Sequence, residues 1–406
     1  MTYRCRSCGS ARLRSVVDLG ETPLANALLD ESALSRAEAR FPLEVVFCED
    51  CTLLQITTTV PPEQLFSDYV YFSSFSDAAV DNAKEIANRL TRTLDLKPDS
   101  LVIEAASNDG YLLKHYQTHG IPVLGIEPAG NIAAHANNIG IPTRCAFFGR
   151  EEGQRLADEG LCADVFHANN VLAHVADFNG FLAGLAAVLK PNGTASIEAP
   201  YVRDLVEQME FDTIYHEHLC YFSLTAMSQA MDRHDLVVVD IEHLRIHGGS
   251  LRYFIRRRGH PVAASVSDML AGEARLGLTA FSYYADFASR IAELKRDLTG
   301  TLRQLKATGS SIAAYGASAK GATLLNTFEI GHGEIDFIVD RSTVKQGRYT
   351  PGTHLEILPT EALLERQPDY LLLLTWNFAD EILAQQAEYR ARGGKVIFPV
   401  PHVRIV

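Results

Sequence analysis

Four cysteines stand in two close pairs, Cys5 with Cys8 in CRSC and Cys48 with Cys51 in CEDC. Each C-x-x-C turn curls its backbone so that both thiolates face one point, and two such turns supply the tetrahedral sulfur set that zinc prefers. Four protein ligands leave no coordination position for a substrate, so the ion would hold a fold and do no chemistry. The gap between the turns is longer than in compact zinc fingers, which an excursion of the intervening segment can absorb. A redox pair of the thioredoxin type would need a strand running into a helix, and neither turn has that setting. The other cysteines, Cys145, Cys162 and Cys220, are scattered and read as small hydrophobes.

A second chemical signal is the run Glu104-Ala105-Ala106-Ser107-Asn108-Asp109-Gly110, which ends a strand-like segment and opens a helix-like one. In an open α/β sheet that junction is where a ligand binds. The run overlays on the E-x-G-x-G-x-G loop of methyltransferases, with Ala106 and Asn108 in place of the first two glycines, and Asn tolerates left-handed backbone. Glu127, closing PVLGIE, can accept both hydroxyls of a ribose; dinucleotide sites carry a similar acid, so Glu127 alone does not choose the cofactor. Charge does choose. Glu104 and Asp109 would repel a pyrophosphate but suit the ammonium and sulfonium of S-adenosylmethionine. Ser107 and Gly110 share the loop, and Asn169 and Asn170, ending ADVFHANN, would lie beside the methionine part. The plainer alternative is that Asn108 and Asp109 cap the next helix.

The densest polar run is Tyr215, His216, Glu217 and His218, followed by Tyr221, with Tyr69 and Tyr71 upstream in DYVYFSSFS. A histidine can remove a carbon-bound proton near neutral pH, an adjacent carboxylate can orient or support it, and a phenol can donate to an enolate oxygen. HEH as a second metal site and the run as a structural hydrogen-bond network remain alternatives. His174 and His247 read individually as structural, His174 gaining weight from its closeness to the strand ADVFHANN. In AYGASAKG, Gly316 and Lys320 lie on a strand-to-helix turn where amides and an ammonium could meet a diphosphate, with Lys345 and Arg348 of KQGRYTPGTH as further candidates. A plain turn with solvated charges is the alternative there.

These residues need elements to position them. A chain of 406 residues that is 47% hydrophobic holds several cores. The fold class expected is α/β, in three parts: a zinc-binding module over residues 1–75, a Rossmann-like methyltransferase domain that binds S-adenosylmethionine over 76–295, and a second Rossmann-like domain over 296–406. Strands alternate with helices from LVIEAAS to ADVFHANN and again from SIAAYGASAKG to KVIFPV, and one long helical stretch over 267–306 joins the two units. The formal net charge of −13 disfavours a nucleic-acid footprint. Neither an apolar leader nor a run long enough to cross a membrane is present, so a soluble, cytoplasmic protein is expected.

Taken together, CRSC with CEDC, DYVYFSSFS, EAASNDGYLL, NNVLAHV, YHEHLCYFS, HGGSLRYF, AYGASAKGATLLN and KQGRYTPGTH resemble the nucleotide-sugar C-methyltransferases of branched deoxysugar and antibiotic biosynthesis, the tetronitrose type in particular. The resemblance covers nearly the whole chain. It implies structural zinc, S-adenosylmethionine as cofactor, and a C-terminal domain that helps hold a TDP-linked sugar. Carried over, the family's base matches His218, and its supporting groups match Tyr69, His174, Tyr215 and Glu217; Tyr71 and Tyr221 are expected among the substrate contacts. The reaction implied is methylation of a TDP-linked keto-deoxysugar, at C3, through an enolate. An NAD-dependent nucleotide-sugar oxidoreductase or epimerase competes with it, disfavoured by the acidic loop, as does a nucleotide-sugar-binding protein without turnover.

Overall fold

Buried and exposed positions alternate unevenly along the first two strands. In the computed structural model, which describes residues 3–66, 73–75, 77–244 and 248–406, strand β1 (Leu13–Pro23) runs antiparallel to β2 (Arg40–Cys48), and β2 to β3 (Leu54–Ile56). The turn from β2 to β3 carries the second cysteine pair. Tyr69, Tyr71 and His247 lie outside the described residues.

Five apolar strands follow in a parallel array: β4 (Val102–Ala105), β5 (Val123–Glu127), β6 (Thr143–Cys145), β7 (Ala163–Asn169) and β8 (Leu189–Pro200). The residues of β4, β5, β7 and most of β8 are buried nearly continuously, as expected of strands covered on both faces, whereas the edge strand β6 is half-buried to exposed. The order is β6-β5-β4-β7-β8, so the chain leaves β4 toward one side and later returns on the other. The loop 106–110 therefore opens at the sheet's switch point. Next comes β9 (Cys220–Tyr221), which joins neither neighbour in sequence but pairs with the free edge of β3, Leu54 opposite Tyr221 and Gln55 opposite Cys220. The YHEHLCYF run thus completes the N-terminal sheet. Antiparallel β10 (Leu236–Leu244) and β11 (Ser250–Arg257) extend the central sheet beyond β8.

The helical stretch read as continuous is broken. Helices Ala264–Leu276 and Phe287–Ala307 are separated by Gly277, whose φ of 84° ends the first helix with its N–H on the carbonyls of Glu273 and Ala274. Apolar spacing persists across the break, but a left-handed glycine cap overrides it. The last unit orders its strands as β14 (Ile357–Leu358), β13 (Phe337–Val339), β12 (Ile312–Tyr315), β15 (Tyr370–Leu373), β16 (Lys395–Phe398) and β17 (Arg404–Ile405), all parallel but the last. Its switch point lies beyond β12, at residues 316–318. One buried apolar cluster runs through all three sheets, from Cys5 and Phe47 through Phe166 and Phe222 to Leu324 and Ile397. Among the described residues no helix is long and apolar enough to cross a membrane.

Candidate active site

The sulfurs of Cys5, Cys8, Cys48 and Cys51 all lie within 4.8 Å of one another, with Cys5 to Cys51 at 3.4 Å and Cys8 to Cys48 at 3.6 Å. Tetrahedral zinc with Zn–S bonds near 2.3 Å would space them about 3.8 Å apart, so a small adjustment seats the ion. The hydrogen bond from Cys51 pulls the Cys5 thiol down to about 5, and that same bond pushes Cys51 up, while burial pushes Cys48 up to about 11. Four sulfurs this close cannot all ionise without a cation among them; a dication resolves the conflict. Among the described residues this is the one cluster with metal-ligand geometry. His216 belongs to no such cluster among the described residues. Its Nε2–H faces the carbonyls of Phe41 and Pro42 at 3.2 and 3.3 Å, fastening the run to β2.

At the switch point of the central sheet, Ala106, Asn108 and Gly110 take φ values of 48°, 49° and 78°. Left-handed geometry at Ala106 costs about 1 kcal/mol and persists only because the loop is held elsewhere. Glu127 holds it: its two carboxylate oxygens accept the N–H groups of Asn108 and Ala129, each at 2.9 Å. The expected grip on two ribose hydroxyls therefore has only the remaining lone pairs to use. Asn108 Oδ1 accepts from Ser73 N at 2.9 Å and Asp109 Oδ2 from Ser74 N at 3.3 Å. Neither residue caps the helix that follows, which begins at Leu113 without a side-chain cap.

Around this loop the acids crowd. Glu104 is 1% exposed, and burial, then the charges of Asp109, Glu127 and Glu198, hold its carboxyl well above the usual range. Glu104 Oε2, Ser107 Oγ, Asp109 Oδ1 and Asn169 Oδ1 are buried without a hydrogen-bond partner among the described residues. Buried acceptors without partners are costly, and a cationic ligand rich in N–H donors satisfies them. The donor set fits S-adenosylmethionine. Asn170, with φ of 56°, turns the chain from β7 toward Leu172–His174.

That short helix delivers His174 to the polar run. The rings of His174 and His218 meet edge-on with centroids 4.7 Å apart, and the rings of Tyr215 and His218 lie 4.1 Å apart. His218 Nδ1 is 2.8 Å from the carbonyl of Thr213, and its Nε2 is 2.8 Å from the Tyr215 hydroxyl. A carbonyl only accepts, so Nδ1 carries the proton and, in the neutral ring, Nε2 presents the lone pair. The Tyr215 hydroxyl donates to it. Thr213 orients His218, because the turn from 213 to 218 folds that carbonyl back onto the ring, while the carboxylate of Glu217, expected to orient or electrostatically support that ring, accepts from Asn26 Nδ2 at 2.7 Å. Burial pushes Glu217 up to about 7 and His174 down to about 4.

Other predicted contacts fall elsewhere. Tyr221 sits in β9, 4% exposed, its hydroxyl buried and without a partner among the described residues. Gly316, with φ of 99°, lets the turn after β12 approach Thr375, whose side chain a Cβ there would meet at 2.5 Å. Lys320 lies over the Trp376 ring at 4.6 Å and lowers the carboxyls of Glu210 and Asp212 against the upward pull of their burial. Lys345 Nζ donates to the Ala317 carbonyl at 2.9 Å, bracing that same turn, and Arg348 is exposed. The sequence reading missed Trp376, whose indole N–H donates to Asp212 at 2.7 Å and ties the C-terminal unit to the residue before Thr213.

Three family models match the chain: a zinc binding domain over residues 5–66, a methyltransferase domain over 79–241, and a C-methyltransferase C-terminal domain over 245–401. The chain is 35% identical over 404 residues to the C-methyltransferase NovU of Streptomyces niveus, spanning 99% of this chain and 96% of that one. Solved structures similar to it include magnesium protoporphyrin IX methyltransferase (ChlM) of Synechocystis PCC 6803 with bound SAM, 13% identical, covering 47% of this chain and 86% of that one with a TM-score of 0.35. Another is an SAM-dependent methyltransferase of Anabaena variabilis, 13% identical, covering 43% of this chain and 84% of that one with a TM-score of 0.34.

Proposed function

The chain belongs to the C-methyltransferase family, and from that membership we propose that it methylates a TDP-linked keto-deoxysugar at C3, next to the ketone, with His218 as the base. It is an enzyme that uses S-adenosylmethionine, with zinc as a structural ion. The cofactor, when bound, supplies an electrophilic methyl group on a sulfonium.

The observation that carries the reading is the fixed tautomer of His218. With Nδ1–H held by Thr213, the lone pair of Nε2 is aimed at the Tyr215 hydroxyl, so the pair can pass one proton as a unit. The ketone acidifies the neighbouring C–H bond; Nε2 takes that proton, and the Tyr215 O–H is released to donate to the enolate oxygen. With the cofactor bound, its methyl group would pass to the enolate carbon as the S–CH3 bond breaks, leaving the neutral thioether S-adenosylhomocysteine and the re-formed ketone, and the imidazolium of His218 returns its proton to solvent. Glu217 as a carboxylate favours that imidazolium. His174, kept neutral by burial, is a weak base and packs the ring in place. Glu104, Ala106, Ser107, Asn108, Asp109, Gly110, Glu127, Asn169 and Asn170 would line the cofactor pocket. Gly316 and Lys320, with Lys345 and Arg348, would meet the diphosphate.

Incubating the enzyme with a panel of nucleotide sugars and methyl-labelled cofactor tests the proposal. Label on a TDP-4-keto-6-deoxysugar, at C3 by NMR, is the expected result; label at C5 moves the reacting carbon, and no label on any sugar overturns the substrate class. Independently, Glu127→Ala is expected to weaken S-adenosylhomocysteine by roughly 1–3 kcal/mol, read by calorimetry. Unchanged affinity would remove Glu127 from the pocket.

A further inference from the structure

The zinc module contributes more than a staple. Beyond β1 the chain runs through Leu24, Ala25 and Asn26 to Leu29, and this short strap touches both other units. On one side Leu29 exchanges backbone hydrogen bonds with Tyr349, at 2.8 and 2.9 Å, in the KQGRYTPGTH loop of the C-terminal unit. Farther along, Glu38 accepts from Gly352 N at 2.9 Å and pairs with His354 at 2.7 Å in that same loop. On the other side Asn26 reaches Glu217, from 191 residues away in sequence.

Asn26 is exposed while Glu217 is 5% exposed, so the amide stands at the mouth and the carboxylate behind it. Among the described residues Asn26 supplies the only hydrogen bond to that carboxylate. An amide N–H stabilises a buried carboxylate without bringing a charge, unlike a Lys or Arg, which would compete for the base and the substrate. We infer that Asn26 is a positioning residue of the active site, fixing the carboxylate of Glu217, the residue next to His218 in the chain, so that the zinc module takes part in setting the reaction's acid–base balance. The inference rests on the proposed role of Glu217.

The ionisable groups of the run are the rings of His216 and His218 and the Tyr215 phenol, and His174 bonds to the backbone of Glu217. Asn26 adds none. Burial already drives Glu217 up to about 7, and Asn26 is what lowers it. Removing the amide must therefore drive it higher.

In the holoenzyme, Asn26→Ala is expected to cut kcat roughly tenfold with KM for the nucleotide sugar changed less than about twofold. The acid limb of the pH profile should move up by about one unit. The isosteric Asn26→Asp, which sets a second carboxylate against the first, should move that limb at least as far, in the same direction. Zinc content and melting temperature should match the parent, which separates the effect from damage to the module. An unmoved limb and unchanged kcat in both variants would overturn the inference. Should the parent enzyme label no nucleotide sugar, the proposed substrate fails, yet the inference is still judged: infrared titration of the Glu217 carboxyl, assigned by difference against Glu217→Gln, must shift upward in Asn26→Ala, and an unchanged titration overturns it.

Discussion

His218→Ala and His218→Asn are expected to lower turnover by on the order of 100-fold or more while leaving S-adenosylhomocysteine affinity nearly intact. The separation follows from geometry. His218 is held by Thr213 and Tyr215, both in its own run, whereas the loop after β4 is held by Glu127, Ser73 and Ser74. Loss of the imidazole removes the lone pair that the Tyr215 hydroxyl donates to but touches none of the cofactor loop. Asparagine can keep a hydrogen bond yet cannot accept a proton at neutral pH, so its failure to restore activity would distinguish a base from a merely structural ring. Tyr215→Phe should act in the same direction, less severely, because the base remains and only the donor to the enolate is lost. Steady-state kinetics together with calorimetry on the same preparations checks both halves. Near-parental turnover in both His218 variants would shift the base to another group; His174, kept neutral at about 4 by burial, is the next candidate and a poor one.

The second large effect is expected on removing the metal. Purified protein should carry about one zinc per chain, and stripping it with a chelator should abolish methyl transfer and destabilise the fold, since four-thiolate zinc contributes on the order of 10 kcal/mol or more in small domains. Activity is lost although no zinc ligand touches the site. The cysteine pair at Cys48 and Cys51 sets the turn between β2 and β3, β3 holds β9, and β9 ends the run that carries His218. Metal analysis, thermal denaturation and activity after chelation and after zinc return measure the chain of effects. A metal-free preparation with its four thiols freely alkylated, full activity and an unchanged melting temperature would refute it.

Why some of this was legible in the residues and some was not has a physical reason. The cysteine turns, the loop 104–110 and the run 215–218 are each local, so spacing alone brings their functional atoms near one another. Alternating strand and helix patterns likewise give away two parallel sheets. Thr213 escapes such reading because its contribution is a carbonyl oxygen, which every residue has. Asn26 and Trp376 escape it because their partners lie in other units, and nothing in a lone amide or indole announces a distant carboxylate. Lys345 reads as a phosphate candidate by charge; that its ammonium also braces the Ala317 carbonyl is a matter of loop path, which composition does not announce.

The pairing of β9 with β3 also has a consequence for how the chain is made. The edge of β3 waits for a partner about 160 residues downstream, which at elongation speeds of about 5–20 residues per second amounts to roughly 10–30 s of synthesis. During that interval the nascent zinc module carries an open strand edge, a template for pairing with other chains. Early capture of the metal, by fixing the cysteine turns before the central sheet emerges, would keep that edge short and in register until its own strand arrives. Zinc supply during translation, and not only in the finished enzyme, then governs how much of the product escapes aggregation.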